Sequence, residues 1–82
     1  MPTVLSLYGL RVVVYPNDHR PAHVHVQSSD CEAVFNLNCP QGPSTLRENY
    51  GFSRKELTRV GAHLDAQAAY LCQRWKDLHG YF

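Results

Sequence analysis

The sequence predicts an α+β domain: a three- or four-stranded antiparallel β-meander with one long C-terminal amphipathic helix packed on one face. Three observations carry this. Apolar or alternating runs fill residues 3–37 and are punctuated by Gly, Pro, Asn and Asp. From residue 57 onward apolar residues recur every three or four positions, the period of a helix. A length of 82 residues allows one domain with a small core, and 44% apolar content excludes a disordered chain.

The elements come in order. Thr3 to Leu7 and Leu10 to Tyr15 read as strands, with Tyr8-Gly9 as the hairpin turn between them. Pro16-Asn17-Asp18 ends the second run, since Pro cannot donate to a ladder and Asn and Asp favour turns. Pro21 pushes its neighbourhood extended, and residues 22–27 alternate polar and apolar. That period of two places Val24 and Val26 on one face and His23, His25 and Gln27 on the other. After the Ser28-Ser29-Asp30 turn, Cys31 to Leu37 reads as a fourth strand. Ala33, Phe35 and Leu37 share one of its faces, and Glu32, Val34 and Asn36 the other.

Residues 38–52, rich in Pro, Gly, Asn and Gln, read as a long loop, and connections of that length are usually functional or mobile. Arg47, Glu48 and Tyr50 lie in it. Ser53 and Glu56 then form a capping box, with Phe52 and Leu57 as its hydrophobic staple. Leu57, Val60, Leu64, Ala68, Leu71, Trp75 and Leu78 make one apolar stripe, so a single helix over about 54–79 is expected, stopped by Gly80. Trp75 falls on the stripe and reads as core.

Composition narrows the function classes. The longest apolar run, Val12 to Tyr15, is far short of the roughly 20 residues of a membrane span. No basic segment precedes an apolar stretch at the N-terminus, which predicts a protein without a secretion signal. A net charge of +1 argues against a strongly basic nucleic-acid clamp, although a local patch remains compatible with it. Three cysteines, Cys31, Cys39 and Cys72, with no C-x-x-C pair, read as reduced thiols, and the expected location is the cytoplasm.

Three of the five histidines fall within seven residues, in Asp18-His19-Arg20-Pro21-Ala22-His23-Val24-His25. His23 and His25 on one strand face lie about 6.6–7 Å apart along the chain, close enough to converge on a metal or a scissile phosphate. Two readings are open. In the first, His23 and His25 divide general acid and base roles on a phosphodiester without a metal or other cofactor. Arg20 contacts the phosphate, with Asp18 and His19 as supports. In the second, His19, His23 and His25 bind zinc or another transition metal in a non-catalytic binding or regulatory module. The bland alternative is turn hydrogen bonds at Asp18 and His19 and half-exposed strand histidines. Arg47, Arg54, Lys55 and Arg59 gather near the loop and the helix start and suggest a phosphate-binding patch. His63 and His79 read as bystanders on the helix.

The stretch Asn17-Asp-His-Arg-Pro-Ala-His-Val-His25, with the opening Met-Pro-Thr-Val and Glu32-Ala-Val-Phe, resembles the DUF4160 family. These are small bacterial proteins of unknown function with an Asn-Asp-His-x-Pro-x-His-x-His signature. Asp18, His19, Pro21, His23 and His25 each match that signature. The resemblance implies one half of a two-gene unit similar to toxin–antitoxin modules, with a small antitoxin-like partner protein and RNA as the object bound or cleaved. No membrane partner is expected, and exposed sheet edges admit a homodimer.

Overall fold

Each strand of the sheet pairs with its neighbour in sequence. In the computed structural model, which describes residues 3–7, 9–40 and 42–82, β1 (Thr3–Leu7), β2 (Leu10–Val13), β3 (His23–Gln27), β4 (Glu32–Asn36) and β5 (Thr45–Tyr50) form one antiparallel meander. Two helices complete the chain, α1 (Arg54–Ala66) and α2 (Ala68–His79). The alternation read from the sequence sets the register. Val12 faces Val26, Val26 faces Ala33, and Val24 faces Phe35. These side chains, with Leu37, pack against Phe52, Val60, Leu64, Leu71 and Trp75 in one core. Each such aliphatic side chain contributes about 1.5–3 kcal/mol by leaving water. The helix pair thus covers one face of the sheet, and His25 and Gln27 belong to the other.

Three expectations require correction. The sheet has five strands, not three or four, because β5 lies inside the stretch expected to be loop. Its six residues, Thr-Leu-Arg-Glu-Asn-Tyr, are all exposed, so it has no buried face for apolar alternation to report. The single long helix is two, broken at Gln67 (φ −110°, ψ 16°), whose N–H reaches both His63 O and Leu64 O. Neither Gly nor Pro stands at the break, and the apolar stripe runs through it. Finally, Cys39 and Cys72 are joined as a disulfide, and Cys31 alone is free, so the reading of all three as reduced thiols does not hold.

The hairpin turn between β1 and β2 falls on Tyr8, outside the described residues, and on Gly9, which has φ +76°. Among the described residues no helix is long and apolar enough to cross a membrane.

Candidate functional site

The face away from the helices is not bare. After β2 the chain turns at residues 15–18, closed by Asp18 N–H to Tyr15 O at 3.1 Å and by Tyr15 N–H to the Asp18 carboxylate at 3.2 Å. This reciprocal pair, an Asp side chain satisfying turn backbone, closes the segment that carries Asp18 to the sheet. The Tyr15 ring meets the His25 ring edge-on at 4.9 Å, and its hydroxyl accepts from Gln27 Nε2 at 2.8 Å. Val13 and Val34, on this outer face, are buried.

The turn delivers Asp18 to the histidines. Asp18 Oδ2 lies 3.3 Å from His23 Nε2 and 3.4 Å from His25 Nε2. The other nitrogen of each ring is already engaged. His23 Nδ1–H donates to Pro21 O at 2.8 Å, and His25 Nδ1–H donates to Glu32 Oε2 at 3.0 Å. An acceptor facing each Nδ1 places the proton there, so in the neutral imidazoles each Nε2 is an acceptor beside the carboxylate. His25 Nε2 is buried and makes no hydrogen bond. With neutral rings three acceptor atoms therefore converge, an arrangement that repels unless a cation offsets it, either a metal ion at the centre or a proton on one ring. The three side chains are 18%, 8% and 17% exposed for Asp18, His23 and His25, so the cluster is largely enclosed.

Neighbours fix the rings. The His23 ring lies 5.2 Å from the ring of His25 and 5.2 Å from that of the fully buried Trp75, which itself stacks on His79 at 3.8 Å. The core helix α2 thus abuts a histidine of the site. Outside the cluster a cavity of about 310 Å³ opens to solvent, lined additionally by Asn17, His19, Arg20, Val34, Arg47 and Glu48. The Tyr50 hydroxyl donates to Glu48 at 3.0 Å, and that hydrogen bond, with the Glu48 charge, raises the phenol above its ordinary value of 10.0.

The structure sorts the residues singled out in the sequence. Asp18, His23 and His25 come together, their donor atoms within 4.8 Å of one another. His19 lines the cavity without joining that group, and Arg20 lies over the ring of Tyr81 at 4.6 Å. Of the four basic residues expected to form one patch, Arg47 lines this cavity, whereas Arg54, Lys55 and Arg59 are exposed on the opening turns of α1. That helix packs on the opposite face of the sheet. Arg59 instead borders a separate cavity with Leu10, Glu56 and Val60. His79 donates Nδ1–H to Trp75 O at 3.0 Å.

Sequence reasoning places Asp18 as a support rather than a ligand and gives Glu32 no role. A signal for Glu32 is nonetheless present. His25 pairs with Val34, so Glu32, two residues away on the same face, is its diagonal neighbour and within reach of a long side chain.

Comparisons with known proteins add one match. A family model described as Domain of unknown function (DUF4160) matches residues 9–76. No curated protein and no solved structure matches the chain significantly.

Proposed function

This chain belongs to the DUF4160 family, a domain of unknown function, and from its geometry we propose that it is a divalent transition-metal-binding domain with Asp18, His23 and His25 as protein ligands. The observation that carries this is the convergence of Asp18 Oδ2 with the Nε2 atoms of His23 and His25, whose Nδ1 atoms are held from behind by Pro21 O and Glu32. Four-coordinate zinc with ligands at about 2.0–2.1 Å has ligand atoms about 3.3 Å apart, the spacing of Asp18 from each histidine. The three ligand atoms lie within 4.8 Å of one another, so the two imidazoles would have to close on a bound ion. Imidazole with one carboxylate suits zinc, iron or nickel. The Pro21 carbonyl and the Glu32 carboxylate behind the rings are the outer partners that orient metal-bound histidines. Three protein ligands leave a position open toward the cavity, where a bound water would be acidified or a substrate oxygen polarised.

This arrangement favours a metal over the metal-free acid–base pair. Asp18 stands between the two imidazoles, so a phosphate would have to displace it before both rings could act. A toxin–antitoxin-type role on RNA, with a small partner protein, is the second reading, favoured by Arg20 and His19 in the lining of the same cavity. It then proceeds with the metal in place.

Trp75 is the only tryptophan and its ring lies 5.2 Å from that of His23, which makes it a reporter of the site. Titration of metal-free protein with Ni²⁺ or Cu²⁺ is expected to quench Trp75 fluorescence saturably at one equivalent. Asp18→Ala and His25→Ala should abolish the saturable quench, Glu32→Ala should weaken it by about 10–100-fold, and His19→Ala should leave it unchanged. Absence of stoichiometric binding by wild type, or equal loss in His19→Ala and Asp18→Ala, refutes the site. For the second reading, His25→Ala should relieve growth inhibition on expression; a wild type no more toxic than this variant removes it.

A further inference from the structure

We infer that the open position of this metal site takes a phosphate-type oxyanion, and that Arg47 is the residue that recognises it. The inference rests on the metal reading above. Its independent observation is an irregularity in β5. Val34 pairs with Glu48 and the next residue, Phe35, pairs with Leu46, so Arg47 is an extra residue opposite no partner: a β-bulge. Under regular alternation Arg47 and Glu48 project from opposite faces of the sheet. Bulges re-aim side chains and recur beside functional sites. Here both Arg47 and Glu48 line the cavity in front of Asp18, His23 and His25.

Two guanidiniums reach this cavity, and they differ in availability. Arg20 is engaged over the Tyr81 ring. Arg47 is exposed and, among the described residues, makes no salt bridge. Its planar fork matches two oxygens of a phosphate. Opposing charge surrounds it. Asp18 and Glu48 supply two carboxylates against the two guanidiniums of the lining, so the metal-free cavity has no net charge to draw an anion. A divalent ion at the histidines would tip that balance toward anions and offer an oxygen ligand position in the cavity that Arg47 lines. Anion binding is therefore ordered: metal first, oxyanion second.

Calorimetric titration of inorganic phosphate into the Ni²⁺-loaded protein tests this, with Trp75 quenching reporting metal affinity in the same samples. Phosphate is expected to bind the loaded wild type and not the metal-free protein. Arg47→Ala should weaken phosphate by about tenfold or more while leaving Ni²⁺ affinity unchanged, and Arg47→Lys should recover part of the loss. A short single-stranded RNA that displaces phosphate supports the assignment with a nucleic-acid backbone as the source, and phosphate binding without such displacement supports it with a small phosphate compound. Ni²⁺ binding with no phosphate binding, or with phosphate affinity equal in Arg47→Ala or in metal-free protein, overturns the inference while the metal site stands. Failure of Ni²⁺ binding itself overturns both.

Discussion

Between β5 and α1 the chain turns at Gly51 with φ +103°, and a Cβ there would lie 2.8 Å from the Cys31 sulfur. Backbone conformation and space both demand glycine at that point. Gly51→Ala should therefore cost about 1–3 kcal/mol for the backbone alone, measured by urea unfolding. Removing the sulfur in Gly51→Ala/Cys31→Ala should restore only the steric part of the loss. At the site, the legible residues are those whose chemistry is local. His23 and His25 share a strand face by simple alternation, and their spacing announces that they can act together. The place of Asp18 beside both imidazoles is not legible, because it depends on how the turn closed by Tyr15 N–H and the Asp18 carboxylate carries that side chain over the sheet. Arg47 is visible only as one of several cations, since nothing in a strand sequence marks where a bulge will fall.

The most faithfully read element boundary is the start of α1. Ser53 Oγ accepts from Glu56 N–H at 3.1 Å and Ser53 N–H donates to the Glu56 carboxylate at 2.9 Å, the reciprocal box expected from the two residue types. Ser53→Ala should lower stability by about 1 kcal/mol in chemical denaturation. The backbone N–H of Ser53, and then its hydroxyl, hold the Glu56 carboxyl below its ordinary value of 4.5. A lowered folded-state value means that the contribution is present above about pH 4.5 and is lost as pH falls through the folded value. Glu56→Gln should flatten the stability profile on that acid side and leave its shape above about pH 6 unaltered; an unchanged acid limb would show that the carboxylate adds nothing to the cap. Other elements are less legible. β5 is an edge strand with every residue exposed, so hydrophobic patterning is silent about it. The break at Gln67 lacks the Gly or Pro that usually marks one and leaves the apolar stripe in phase, so periodicity cannot detect it.

For the whole molecule the Cys39–Cys72 disulfide ties the segment after β4 to α2 across 33 residues of sequence. Closing a loop of that length stabilises a domain by about 3–4 kcal/mol in the chain-entropy account, a large share for a domain of 82 residues. Cys39→Ser, or reduction of the wild type, should lower the urea midpoint correspondingly, and equal stability of oxidised and reduced protein would contradict this. The same helix carries Trp75 against His23, so core and site share α2. Short-range rules written in the sequence are enough for the strand phases, the helix start, the apolar stripe and the pairing of two histidines on one face. Family membership covers residues 9–76 and adds no chemistry of its own. Contacts between distant segments arise only in the folded chain. They pair Cys39 with Cys72, add β5 to the sheet, and place Arg47 at the cavity beside Asp18 and the histidines. Side-chain periodicity encodes which face a residue occupies, but chain reversals and register shifts determine which residues of that face meet.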